Sequence, residues 1–241
     1  MQSLAREVEE GHRPYSVIKP VAYLNELRTL AIEEAPGVSL NQLLLQGASP
    51  AEVLGPVARA VAAFNRDHLP IPRREGLADQ LEDVGLAADL VRWACPEVRE
   101  EVRAITDAIS TDLEDVPSAP IHGDLKADHI FLSDDRVTFI DLDSTVLGDP
   151  VRDAAHLFAY LAAGVGLGST PVAQSRAIAA QFAEEYFRLV PGSWRARFPI
   201  HCAGALLEVA SGIFRRQEVG WPEKAREVVA LAERIRSGGF G

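Results

Sequence analysis

Asp124, His129, Asp141 and Asp143 are the residues whose types and spacing most directly suggest chemistry. They flank two short apolar runs, Ile130-Phe131-Leu132 and Val137-Thr138-Phe139-Ile140, separated by the polar turn Ser133-Asp134-Asp135-Arg136. β-Branched and aromatic runs joined by such a turn read as a β-hairpin. A hairpin returns its second end to its first, so Asp124 and His129 are expected to meet Asp141 and Asp143. Carboxylates gathered in this way repel one another unless a proton or a cation is shared among them. A site, rather than a solvated surface, is therefore expected at the open end of the hairpin.

What could hold that hairpin follows from the rest of the chain. Its 241 residues are 47% hydrophobic, enough for one large core or two packed lobes. The formal net charge of -11 argues against a nucleic-acid or anionic-membrane surface, which would need clustered Lys and Arg. It is compatible with a cationic substrate. Cys95 and Cys202 lie far apart with no metal-type spacing, so reduced thiols in a cytoplasmic protein are expected. The opening MQSLAREVEEGHR lacks the apolar core of a signal peptide. The most apolar stretch, Ala154 to Leu167, is too short to span a bilayer.

Patterning predicts a short charged helix over Leu4 to Glu10, then strands Val17 to Tyr23 and Leu27 to Ile32 around Asn25-Glu26. Glu33-Glu34-Ala35-Pro36-Gly37 reads as a linker. From there to Ser118 the chain reads as helical. Ser39 can cap a helix ending near Leu45, and Ser49-Pro50-Ala51-Glu52 reads as a capping box with proline at the first helical position. The helix it opens presents Val53, Leu54, Val57, Val61 and Phe64 on one face. Further helices are expected over Leu77 to Ala94, Pro96 to Leu113, from Pro150, from Pro171, over Trp194 to Gln217 and over Trp221 to Ser237. The predicted architecture is a small strand-containing N-terminal piece, a linker, and a helical body with one inserted hairpin.

Three motifs in order resemble the aminoglycoside phosphotransferase and choline-kinase-like family. HGDLKADHIF (His122 to Phe131) is similar to its catalytic loop, FIDLDS (Phe139 to Ser144) to its metal-binding strand end, and LGDPVRDAA (Leu147 to Ala155) to the start of the following helix. LAIEEAPGVSL (Leu30 to Leu40) is similar to the hinge between its two lobes. The resemblance implies an α+β, protein-kinase-like fold, with residues 1–37 as remnant N-terminal lobe and hinge and 38–241 as helical C-terminal lobe. It implies ATP and Mg²⁺ as cofactors and a small-molecule hydroxyl as acceptor, and leaves the oligomeric state open. By the same resemblance Asp124 would accept the hydroxyl proton, while Asp141 would hold Mg²⁺, a hard cation that takes oxygen ligands. Glu33 and Ala35 would present hinge backbone groups to the adenine. Asp153 would brace the catalytic loop, His122 would be a packed loop residue, and Asp143 would be a secondary metal contact. Lys126 and Asp128 read as exposed loop residues.

Two departures from the family stand out. Its second metal ligand is an asparagine five residues after the catalytic aspartate, where this chain has His129. Imidazole is a poorer ligand for Mg²⁺ and suits Mn²⁺ or Zn²⁺ better, so Mn²⁺ becomes an alternative cofactor. The other departure concerns the N-terminal lobe, which needs on the order of 60 residues at usual element lengths. Only 32 residues precede Glu33, with no glycine-rich loop, so the first three strands of the lobe are expected to be absent. The family's nucleotide lysine precedes the helix glutamate it pairs with. Here Glu7, Glu9 and Glu10 come before Lys19, which reads as a strand-edge residue. Three readings result: an ATP-dependent small-molecule kinase, a catalytically impaired kinase-like binding module, and a hydrolase using His122, Asp124, His129 and Asp141 as metal ligands. Glu184, Glu185 and Glu208 would suit a cationic acceptor.

Overall fold

In the computed structural model of the chain, residues 2–11, 13–134 and 136–238 are described. The N-terminal part runs α1 (Gln2–Glu10), β1 (Tyr15–Val17), β2 (Pro20–Leu24), β3 (Thr29–Ile32) and β4 (Val38–Ser39). Helices α2 (Leu40–Leu45), α3 (Pro50–Phe64), α4 (Leu77–Ala94) and α5 (Arg99–Asp112) follow. Next come β5 (Ala119–Ile121), β6 (Ile130–Ser133), β7 (Arg136–Phe139) and β8 (Val146–Gly148). The chain closes with α6 (Val151–Ala162), α7 (Val172–Phe187), α8 (Phe198–Arg215) and α9 (Trp221–Arg236).

The predicted central hairpin is β6–β7, antiparallel with Ile130 opposite Phe139 and Ser133 opposite Arg136. Asp135, in its predicted turn, lies outside the described residues. The hairpin is the middle of a four-stranded sheet ordered β1-β7-β6-β4, in which β1 runs parallel to β7. Val17 therefore belongs not to the first strand of the N-terminal hairpin, as its pattern suggests, but to β1. Tyr15, Phe64 and Phe139 lock this edge to α3, with ring centroids 5.4 to 5.7 Å apart in edge-on and tilted contacts. The second predicted hairpin is β2–β3, antiparallel around a 3-10 turn at Asn25–Leu27. It forms a two-stranded sheet by itself, and Val21, Tyr23, Leu24, Leu27, Leu30 and Ile32 are exposed on it.

The helical body is built around α8. Its residues from Ile200 to Ile213 are buried except for a half-buried Glu208, the pattern of a helix enclosed on all sides. It packs against α4, α5, α6 and α9. Val53, Leu54, Val57, Val61 and Phe64 of α3 are all buried, as the period of their spacing requires.

Some local expectations are corrected. Ser39 caps α2, accepting from the Gln42 N–H, but the Ser49 hydroxyl makes no such bond at the start of α3, so the capping box is not formed. The helix expected over Trp194 to Gln217 is a 3-10 turn at Gly192–Arg197 followed by α8. Pro199 explains the break: without an N–H it fits the first turn of a helix, not its interior. Pro96–Val98 is likewise a 3-10 turn ahead of α5. Residues between α3 and α4, expected to be helical, include an extended segment. The Leu147 N–H donates to the Arg73 carbonyl and the Glu75 N–H to the Leu147 carbonyl, which adds this segment to β8.

Candidate active site

The loop from His122 to His129 leaves β5, which is paired with β8 through Ile121 opposite Val146. Its first turn is anchored from below by Asp153 on α6. One carboxylate oxygen of Asp153 accepts from the His122 N–H at 2.8 Å and from Asn65 Nδ2 at 2.8 Å; the other accepts from the Gly123 N–H at 3.1 Å. Asn65 also donates to the Pro120 carbonyl and accepts from the Tyr186 hydroxyl at 3.1 Å. Gly123 has φ +80°, and a Cβ there would lie 2.3 Å from the Ser144 carbonyl oxygen. No other residue could pass that close to the β7–β8 connection. His122 is buried; its Nε2 donates to the Ile140 carbonyl at 2.8 Å and its Nδ1 accepts from the Asp124 N–H. Burial pushes its pKa down, so the ring is held neutral and ties the loop to the end of β7.

Beyond this anchor the side chains converge as the hairpin predicts. His129 ends a 3-10 turn at Ala127–His129, and its carbonyl accepts from the Ile140 N–H at 3.0 Å. That bond sets His129 beside Asp141, whose backbone takes the left-handed conformation at φ +56°. His129 Nδ1 donates to the Asp124 carbonyl at 2.8 Å, and Nε2 lies 3.5 Å from Asp141 Oδ2. Asp124, His129 and Asp141 each offer a ligand atom, all within 4.8 Å of one another. A divalent cation with bonds of about 2.0–2.2 Å holds its ligand atoms roughly 3–4.4 Å apart, so small side-chain adjustments let this donor set fit one. Asp143 sits two residues farther along, in the 3-10 turn Leu142–Ser144, and is not in the group. Nor is His122, whose Nε2 is already engaged.

Lys126 is corrected from an exposed loop residue to a half-buried partner. Its Nζ lies 2.7 Å from Asp124 Oδ2 and 5.4 Å from the centre of the Tyr160 ring. Asp128 is exposed, as expected. A cavity of about 230 Å³ beside this loop is lined by Lys126, Asp128, His129, Tyr160, Val165 and Arg216, among others. On the other flank His156 donates from Nδ1 to the Leu125 carbonyl at 3.0 Å and turns Nε2 toward Asp124 (3.9 Å) and Glu208 (3.6 Å). Burial pushes the His156 pKa down to about 4 and the Glu208 carboxyl up to about 7. Glu184 and Glu185, the other acids suited to a cationic acceptor, pair with Arg195 and Arg188 on the surface.

At the N-terminal side, the Glu33 N–H donates to the Lys19 carbonyl at 2.9 Å, joining the linker to the start of β2. Glu33 is exposed and Ala35 half-buried. Lys19 pairs with Glu9 of α1 at 2.6 Å, both side chains facing solvent. Sequence reasoning missed Asn65, His156 and Tyr160. Asn65 lies 88 positions from Asp153 and ends a helix with no local sign of that contact. The signal for His156 was its type, a titratable residue in an apolar helix, four positions ahead of an aromatic.

With this geometry in view, the sequence matches the family model described as phosphotransferase enzyme family over residues 3–196. No curated protein matches it. Among solved structures the fold is similar to a thermostable mutant of aminoglycoside phosphotransferase APH(4)-Ia in its apo form. That match has a TM-score of 0.66 at 17% identity and covers 98% of this chain and 83% of that one. A choline/ethanolamine kinase family protein from Mesorhizobium loti matches with a TM-score of 0.62 at 15% identity, over 99% of this chain and 83% of that one. ADP-bound aminoglycoside phosphotransferase APH(2'')-Ib gives a TM-score of 0.57 at 14% identity, over 96% and 80%. The fold is kinase-like and of the α+β class, as expected. No helix among the described residues is long and apolar enough to cross a membrane. With four fifths of its length inside the family model, this chain belongs to the phosphotransferase enzyme family.

Proposed function

We propose that the protein transfers the γ-phosphoryl group of ATP to a hydroxyl of a small molecule, with Mg²⁺ as the accompanying cation. The observation that carries this reading is the convergence of Asp124 and Asp141, bridged by His129, at the open end of the β6–β7 hairpin. Phosphoryl transfer asks a protein for positioning and for neutralisation of phosphate charge. When bound, the divalent cation supplies that neutralisation, held by Asp141 with the neighbouring donors. Asp124 takes the proton of the attacking hydroxyl as the oxygen bonds to the γ-phosphorus and the bond to the β,γ-bridging oxygen breaks. Lys126 holds Oδ2 of Asp124, which leaves Oδ1 for that proton. Asp153 and His122 keep the loop in register from beneath. In this reading residues 1–37 are the remnant N-terminal lobe and hinge, 38–241 the C-terminal lobe, and the backbone at Glu33 and Ala35 meets the adenine. Buried, unpaired thiols at Cys95 and Cys202 fit a reducing, cytoplasmic setting.

A second reading, a kinase-like module that binds ligand without turnover, is favoured by the β2–β3 hairpin, a two-stranded sheet whose large apolar residues are exposed. The two readings separate on turnover. ADP release from ATP and Mg²⁺ should depend on an added hydroxyl compound, tested across aminoglycosides, amino alcohols and sugars, and Asp124→Ala should abolish it. If no acceptor raises ADP release above the Asp124→Ala background, the kinase reading fails and the binding module stands.

A further inference from the structure

We infer that Asp124, His129 and Asp141 form a preorganised site for a borderline divalent cation, Mn²⁺, Co²⁺ or Zn²⁺, which fills without nucleotide and, once filled, withdraws Asp124 from proton transfer. The site itself rests on geometry alone; only its consequence for turnover rests on the kinase reading.

The orientation of His129 carries the inference. A backbone carbonyl can only accept, so the 2.8 Å contact between His129 Nδ1 and the Asp124 carbonyl places a proton on Nδ1. Nε2, on the opposite edge of the ring, is thereby turned toward Asp141 Oδ2, 3.5 Å away. That separation is longer than an ordinary hydrogen bond and is the spacing of two atoms that ligate one cation. A carbonyl acceptor on the far nitrogen is also the arrangement that fixes a metal-binding histidine in the right tautomer.

The ligand residues are held in place before any metal arrives. His129 is largely buried, stacks on His122 with ring centres 5.8 Å apart, and its N–H is bonded to the Lys126 carbonyl at 3.0 Å. Its own carbonyl is bonded to the residue preceding Asp141. The third donor, Asp124, follows His122, whose ring is fixed to Ile140. All three ligands are therefore tied to one short stretch of backbone, so nucleotide phosphates are not needed to assemble them. The donor set decides the metal. Mg²⁺ favours oxygen donors and retains several waters, whereas an imidazole nitrogen beside two carboxylates favours later first-row ions. A cation drawing on the Asp124 carboxylate competes with Lys126 for it, and with the substrate proton.

The test uses the full chain without nucleotide. Co²⁺ titration followed by visible absorption should give a saturable spectrum of one equivalent, displaced by Zn²⁺, with Mg²⁺ binding far more weakly. His129→Asn should weaken Co²⁺ binding by at least about tenfold and narrow its preference over Mg²⁺. His129→Gln should behave alike, and circular dichroism on both variants separates ligand loss from misfolding. Absence of a spectrum at millimolar Co²⁺ in the parent overturns the inference, as does equal affinity in folded His129→Asn. ATP turnover is read separately. A chain that binds Co²⁺ through His129 but never turns over ATP sinks the kinase reading and leaves this site standing.

Discussion

Replacing Asp153 tests most sharply how the loop is held. Its side chain is 1% exposed and accepts from the His122 N–H, the Gly123 N–H and Asn65 Nδ2. Hydrogen bonds to a charged group each contribute about 1.5–3 kcal/mol net, and a donor left buried without a partner costs about 1–3 kcal/mol. Asn65 keeps a second acceptor in the Pro120 carbonyl, so it loses less than the two backbone donors. Asp153→Ala is therefore expected to destabilise the protein by about 3–5 kcal/mol, within the range for breaking a buried charged contact. At roughly 2–4 °C per kcal/mol for a chain of this size, the melting temperature should fall by about 6–20 °C. Asp153→Asn should cost less, because one carbonyl oxygen can still take the two bonds now made to Oδ2. Urea unfolding followed by circular dichroism reads this as a lower midpoint at unchanged slope. A loss below about 1 kcal/mol for Asp153→Ala would show that the loop does not depend on this carboxylate, and the account of its anchoring would be wrong.

Three further outcomes follow from the same structure. Gly123→Ala should cost at least about 2 kcal/mol in thermal unfolding, since it combines a left-handed backbone with a Cβ 2.3 Å from the Ser144 carbonyl oxygen. Burial opposes ionisation of Asp149, but hydrogen bonds from His201 and Arg197 outweigh it and hold its carboxyl well below the usual carboxylate range. A depressed carboxyl contributes stability above its unfolded pKa of about 3.9 and loses it as pH falls through the folded value. Asp149→Asn should therefore be destabilised by about 2–4 kcal/mol at pH 7, with the gap closing in acid. Glu208 has the opposite sign: raised to about 7 by burial, it favours the fold below its unfolded pKa and costs stability as pH rises through 7. Glu208→Gln should exceed the parent by about 1 kcal/mol at pH 8, after allowing for its partial exposure, and by nothing near pH 4.

Much of the site was legible because its geometry is local. A hairpin of two short β-branched runs brings its ends together wherever it sits, so Asp124, His129 and Asp141 converge as the spacing implies. The helices were legible from apolar period and from proline at their starts, as in α3 and α6. Other features were not, for physical reasons. Strands β5 and β8 are three residues long, too short for any alternation to show. The parallel pairing of β1 with β7 joins residues more than 120 positions apart. The extended segment before α4 is set by its bonds to Leu147 rather than by its own composition. Lys126 looked like a solvated loop charge because nothing nearby in sequence reveals Tyr160. Ser49 has the residue type of a capping box but not the contact, since the Glu52 N–H that its hydroxyl would cap donates to the Ser49 carbonyl instead.

The central claim is that the carboxylates at 124 and 141 serve phosphate chemistry, and equilibrium binding of ATP in the presence of Mg²⁺ tests it most directly. The parent should bind, with a melting temperature that rises with ATP concentration, and Asp141→Asn should lose at least about tenfold in affinity while keeping its fold. Binding unchanged by Asp141→Asn, or no binding of ATP with any divalent cation, would contradict it.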